Sequence, residues 1–176
     1  MKRDLVKNIT LAAVIAALYT ALSIVLLPLS FGPIQLRISE ALTVLPAICP
    51  PAVVGLTLGC FISNVIGFLM GANPLGVVDA FVGSAATLFA AICTAYIGKK
   101  IKGKSLFVLA PLPPVLFNGL IIGLELTLVL TGGFSLAVFA LNCVYVAVGE
   151  AIACYLGGSL ILSGGQKFLD SIYQKE

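Results

Sequence analysis

Between residues 8 and 162 the chain is a succession of apolar runs, and the charged interruptions are few enough to name: Arg37, Glu40, Asp79, Glu125, Glu150 and a lysine cluster at 99–104. A run of about 18 or more apolar residues is long enough to cross the hydrocarbon of a bilayer as a helix. An ionised side chain at that depth costs roughly 2.5–3.5 kcal/mol even on lenient insertion scales, so it persists there when paired, hydrated or used. Arg37 and Glu40, close together in Ile34-Gln35-Leu36-Arg37-Ile38-Ser39-Glu40-Ala41-Leu42, therefore mark where chemistry is to be sought.

Composition points the same way. Of 176 residues 60% are hydrophobic and 10% charged, and mean hydropathy is +1.17, whereas soluble domains carry about a quarter charged residues. The expected fold is an all-α integral membrane protein. Residues 1–176 form a single domain, because short connections leave no soluble stretch that could fold separately. The start, Met1-Lys2-Arg3-Asp4-Leu5-Val6-Lys7 ahead of a long apolar run, has the outline of a signal peptide. That run is too long and no A-x-A site closes it, so it reads as a retained first span.

The apolar runs predict helices at 8–29, 40–48, 51–70, 76–98, 106–130 and 135–162. The second is short, rising about 14–18 Å at 1.5 Å per residue. Parity decides whether it counts as a crossing. The basic N-terminus, the cluster Lys99-Lys100-Ile101-Lys102-Gly103-Lys104 and the tail with Lys167 and Lys175 belong on the cytoplasmic side, which requires an even number of crossings between them. Six spans meet that condition, with both termini cytoplasmic and a helix break at Cys49-Pro50-Pro51.

Counting from the outer helix ends at 1.5 Å per residue places Glu40 and Asp79 at the outer face and Asn64 and Glu125 about 9 Å deep. Asn142 lies about 10 Å deep, and Asn118 and Glu150 about 20 Å. The distribution is one-sided, which describes a cup open to the outside rather than a conduit. A pocket between the fourth, fifth and sixth helices would collect Asp79, Glu125 and Asn142, with Tyr145 one turn from Asn142. Structural roles compete with this reading: an Arg37–Glu40 salt bridge, helix caps at Glu40 and Asp79, and an Asn118–Glu150 bond gluing helices together. Glu125 is hardest to dismiss, because no base lies near it in sequence. The candidate substrate-binding residues are Arg37, Glu40, Asn64, Asp79, Asn118, Glu125, Asn142, Tyr145 and Glu150.

On the first helix Ala12 and Ala16, and Ala13, Ala17 and Ala21, recur at four-residue spacing. Such a smooth strip lets another helix approach closely, within the chain or from a partner. Cys49, Cys60, Cys93, Cys143 and Cys154 stand singly and histidine is absent, so neither a metal site nor a disulfide framework is expected. The sequence has no phosphate-binding G-x-x-x-x-G-K-[ST] loop and no nucleophile triad, so we expect neither an enzyme nor a cofactor, and accumulation of a solute would need a partner or a coupling ion.

The order of a basic N-terminus, an Ala-rich first helix, Gln35-Leu36-Arg37-Ile38-Ser39-Glu40-Ala41-Leu42, Leu45-Pro46, Gly55-Leu56-Thr57-Leu58-Gly59-Cys60 and Asn64 resembles the QueT family of queuosine-precursor transporters over nearly the whole chain. Q-x-R-I-S-E-A-L with the downstream L-P is the most specific piece. The resemblance implies a six-helix, substrate-binding S component of an energy-coupling factor (ECF) importer in a prokaryotic cell membrane. It implies uptake of a 7-deazaguanine, such as the 7-cyano or 7-aminomethyl compound or queuine. It also implies two kinds of partner, a transmembrane coupling protein and two cytoplasmic ATPases. The coupling protein would be met through an A-x-x-x-A strip that maps to Ala12 and Ala16 or Ala13 and Ala17, and ATP would drive toppling of the subunit in the membrane. Three other readings stay open. They are an S component for another vitamin-like solute, a stand-alone proton- or cation-coupled transporter using Glu125 and Glu150, and a membrane subunit without a small ligand.

Overall fold

The computed structural model describes residues 2–31 and 36–173; Gln35 and Lys175, used above as sequence markers, lie outside the described residues. The described residues form helices α1 (Lys2–Val25), α2 (Leu27–Ser30), α3 (Ala52–Leu69), α4 (Val77–Lys100), α5 (Lys104–Leu109), α6 (Leu112–Thr131), α7 (Leu136–Ala151) and α8 (Gly158–Tyr173). A 3₁₀ helix (Ile38–Ala47) precedes α3, and a π-helical segment (Ile152–Gly157) joins α7 to α8. Five stretches are long and apolar enough to cross a membrane: Arg3–Val25, Ala52–Leu69, Val77–Lys100, Lys104–Thr131 and Leu136–Gly165. Ile38–Ala47 is a shorter apolar helix. Large apolar side chains, among them Leu5, Val14, Leu18, Phe81, Phe89 and Leu160, stand on the outside of the bundle. A soluble monomer avoids an apolar surface of that extent, whereas hydrocarbon solvates it.

The expected fifth run is two helices, α5 and α6. In one continuous helix the carbonyls of Leu109 and Ala110 would need the N–H groups of residues 113 and 114, and both are proline, which has none. The chain breaks after α5, Pro113 and Pro114 fall in the first turn of α6 where a missing donor is tolerated, and the Thr94 hydroxyl donates to the Ala110 carbonyl at 3.1 Å. The sixth run is longer than expected, passing through the π turn to residue 173.

The second helix differs most in kind. Its ten residues wind as a 3₁₀ helix, which at about 2.0 Å per residue makes it roughly 20 Å long and sets side chains three apart in line. Eight of its ten residues are buried. It packs against α1, α3, α4, the π segment and α8, so it is a central strut of the bundle. One column, Ala41, Val44 and Ala47, meets glycines on its neighbours. A Cβ on Gly157 would lie 2.7 Å from the Ala41 Cβ, and one on Gly158 would lie 2.7 Å from the Val44 Cγ1. A Cβ on Gly98 would overlap the Ala47 backbone. Leu42, in a second column, joins Ile15, Tyr19, Leu56 and Cys60 in an apolar core.

α1 lies along α3 on an equally close seam. A Cβ on Gly55 would come 2.6 Å from the Ala12 carbonyl oxygen, and one on Gly59 2.9 Å from that of Ala16. Lipid supplies no hydrophobic drive between helices, so such closeness is what holds them together. We predict that Gly98→Ala lowers the thermal unfolding midpoint in detergent, with overpacking against the 3₁₀ strut costing about 1–3 kcal/mol. Gly164→Ala, where nothing lies within 4 Å of the added carbon, should leave the midpoint unchanged or raised.

Candidate functional site

Several elements bring polar side chains into the centre of this apolar bundle. Arg37 precedes the first turn of the 3₁₀ strut, with its side chain 6% exposed. Its guanidinium donates to Asp79 Oδ2 at 3.0 Å, its Nε donates to the Ser30 carbonyl at 3.3 Å, and its cationic carbon sits 4.9 Å from the centre of the Phe31 ring. Asp79, in the first turn of α4, also accepts from Asn73 Nδ2 at 2.8 Å. Asn73 in turn holds the 71–76 loop, because its Oδ1 accepts from the Leu75 amide at 3.0 Å. Asn64 of α3 donates to the Asp79 backbone carbonyl at 2.9 Å. One arginine thus ties the end of α1–α2, the strut, the 71–76 loop and α4 to one point.

Glu40 does not pair with Arg37. Its Oε1 accepts a short hydrogen bond from the Tyr19 hydroxyl of α1. The competing reading of a salt bridge within the segment gives way to one from Arg37 to Asp79 of α4, so the segment is locked into the bundle rather than anchored at an interface. Beside that bond, Ser23 and Ser39 hydroxyls meet at 2.7 Å, and the single S–H of Cys154 in the π segment is within reach of the Glu40 carbonyl at 3.3 Å and of Glu150 Oε2 at 3.7 Å. Asn118 of α6 lies next to both Glu40 and Glu150. Glu125, two turns further along α6, lies in the electrostatic neighbourhood of Asp79 and Arg37.

Among the described residues, the buried side-chain oxygens left without a hydrogen-bond partner are Ser30 Oγ, Glu40 Oε2, Asn64 Oδ1, Asp79 Oδ1 and both oxygens of Glu125. Apart from the Ser30 hydroxyl, every one is an amide or carboxyl oxygen, and a carboxyl is an acceptor only when ionised. An orphaned buried polar group costs about 1–3 kcal/mol, so these five oxygens are where the cluster leaves hydrogen-bonding capacity unused.

Most of the expected site residues meet here: Arg37, Glu40, Asn64, Asp79, Asn118, Glu125 and Glu150 are all buried. Asn142 is half-buried on α7 and donates to Thr127 Oγ1 at 3.1 Å, which ties α7 to α6. Tyr145 is 46% exposed and stands on the outside of α7. Tyr19, Asn73 and Cys154 were not singled out from the sequence. Tyr19 sits inside the Ala-rich strip, and Asn73 precedes Pro74 in what reads as a turn. The strip itself divides. Ala12 and Ala16 press on α3, and Ala16 also reaches the open apolar groove of about 640 Å³ on the outside of the bundle that Ala13, Ala17 and Ala21 of α1 line with Leu58, Ile62 and Ile66 of α3.

The sequence profile of the QueT transporter family matches residues 9–166. The chain belongs to the QueT transporter family. Over 90 residues it is 36% identical to the "Queuosine precursor transporter QueT" of Lactococcus lactis subsp. cremoris (strain MG1363), an alignment that covers 50% of this chain and 49% of that protein. The matched part therefore spans about half the length of that curated relative. No solved structure matches the chain. Membership identifies a multi-pass membrane protein of a transporter family rather than of an enzyme family. The polar cluster described above, from Tyr19 to Cys154, falls wholly within the matched residues.

Removing one member of a buried ion pair leaves the other charge uncompensated, at a cost of about 3–5 kcal/mol. Arg37→Met should therefore destabilise this QueT-family protein strongly, and Arg37→Met with Asp79→Asn should recover most of the loss. Unfolding midpoints of the two single variants and the double variant check this, and additive losses would show that the pair is not the tie.

Proposed function

We propose that this chain is the substrate-binding S component of an ATP-driven ECF importer, and that it takes up a queuosine precursor of the 7-deazaguanine class through a site formed by Arg37, Glu40, Asn64, Asp79, Asn118, Glu125 and Glu150. One observation carries the reading: the central cluster is buried, tied by one arginine, and left with acceptor oxygens that have no partner. A deazaguanine ring offers N1–H, an exocyclic amine and a pyrrole N–H, and one carboxylate can accept the first two together. The name of the Lactococcus relative agrees with that chemistry.

Six crossings with both termini cytoplasmic complete the proposal, with the 3₁₀ strut as the second. Its lengthened rise brings a ten-residue helix closer to membrane depth, and counting it puts the lysine cluster at 99–104 on the same side as the N-terminus. The partners are a transmembrane coupling protein and two cytoplasmic ATPases. Ala13 and Ala17, exposed in the open groove that Ala16 also lines, supply the docking face more directly than Ala12, which is engaged with α3.

Purified protein should be stabilised by a deazaguanine, by about 2.7 kcal/mol at 100 times the dissociation constant, and Glu125→Ala should abolish that gain. Ala17→Leu should leave binding intact while blocking uptake in cells. Uptake that survives deletion of the cellular ATPase partners, or uptake by the chain alone in liposomes under a pH gradient, would overturn the ECF assignment in favour of a stand-alone transporter.

A further inference from the structure

We infer that the turn joining α4 to α5 is a binding site for the headgroup of an anionic phospholipid, with Lys99, Lys100 and Lys104 as the groups that hold its phosphate. The site stands independently of the substrate and partners proposed above.

Its place in the bundle comes first. The stretches Val77–Lys100 and Lys104–Thr131 are each long and apolar enough to cross a membrane, so residues 101–103 between them turn the chain at a membrane surface. Tyr96, one turn before Lys100, is 62% exposed on the outside of the bundle, where an aromatic ring sits at headgroup level. The Lys100 ammonium stands 5.7 Å from the centre of that ring. Ile92 and Val108 are exposed as well and continue the lipid-facing surface beside the turn. The lysines therefore border hydrocarbon and headgroups rather than open water.

Charge comes second. Four lysines fall within residues 99–104, and the nearest acids in sequence are Asp79 and Glu125, both buried within the bundle. Among the described residues no carboxylate pairs with any of the four. They are not equivalent. The Lys102 ammonium donates to the Gly98 carbonyl at 2.6 Å, and so satisfies one of the carbonyls that the end of α4 leaves open. Lys99, Lys100 and Lys104 are exposed and keep their ammonium donors for a ligand. Phosphate is the anion a membrane surface offers, and lysine binds it as a point charge.

The backbone that presents these lysines is fixed. Gly98 lies so close to the Ala47 backbone of the 3₁₀ strut that a Cβ would overlap it. Leu106, just after Lys104, is fully buried and packs with Val44, Ala47, Ala110 and Leu162. Gly103, at φ +69°, lets the chain reverse between the two. A headgroup thus orders side chains alone and not the loop, which keeps the entropic cost of binding low.

The test uses the purified full-length protein in a neutral detergent, titrated with phosphatidylglycerol or with phosphatidylcholine of the same acyl chains and read by native mass spectrometry. Phosphatidylglycerol should be retained at least about tenfold more tightly, and raised salt should erode the difference. At about fivefold per lysine, Lys99→Gln with Lys100→Gln and Lys104→Gln should abolish the preference. The unfolding midpoint of that variant in lipid-free detergent should stay native, because all three side chains are exposed. Lys2→Gln with Arg3→Gln and Lys7→Gln removes the same charge from the N-terminus and should leave most of the preference in place. Equal retention of the two lipids by the native protein, or a preference lost as fully in the N-terminal variant as in the turn variant, would overturn the inference. Inorganic phosphate that displaces phosphatidylglycerol at an ionic strength where chloride leaves it bound would also overturn it, assigning the turn to a soluble anion.

Discussion

The Arg37–Asp79 pair is the constraint on which the rest of the arrangement depends. A guanidinium and a carboxylate in the middle of an apolar bundle are tolerable together and ruinous apart, because the attraction between them offsets desolvation when the geometry is good and further hydrogen bonds satisfy what remains. Here those further bonds come from Asn73, the Ser30 carbonyl and the face of Phe31. Holding all of them in place requires that α1–α2, the 3₁₀ strut, the 71–76 loop and α4 meet at one point. The pair thereby sets the positions from which Glu40, Asn64 and Asp79 present their free oxygens.

Small residues make that meeting possible. The strut lies deep among α1, α3, α4 and the π segment, and Gly98, Gly157 and Gly158 are where a side chain on the neighbour would collide with it. The π segment begins two residues after Glu150, and single π turns inside α-helices are frequent at functional sites. It places Cys154 against both the Glu40 carbonyl and the Glu150 carboxylate. Packing and site are therefore one structure. The glycines let the strut in, and the strut carries Arg37 and Glu40.

Much of the buried polar cluster is legible in the sequence because charged and amide side chains in apolar runs are conspicuous. Arg37, Glu40, Asn64, Asp79, Asn118, Glu125 and Glu150 stand out by residue type alone and do gather. Their pairing was not legible. Residues three apart in one segment suggest a bond to each other, yet Arg37 reaches α4 and Glu40 reaches α1. Tyr145 misled because its spacing from Asn142 puts the two near one face, whereas the seam between α6 and α7 is narrow and excludes it. Asn73 was hidden because Asn beside Pro-Leu-Gly reads as a turn former, which it also is.

The sequence by itself determined the all-α membrane class, the order of the apolar runs, the family, and most of the buried charged and amide residues. It did so because hydrocarbon punishes charge and exposed backbone regardless of how helices are arranged. Tertiary structure alone decided that the second helix winds as a 3₁₀ strut, that Arg37 belongs to Asp79 and Glu40 to Tyr19, and that Glu125 is left without a partner. Those outcomes depend on which glycine seams allow which backbones to touch, and contact across tens of residues leaves no periodic trace along the chain.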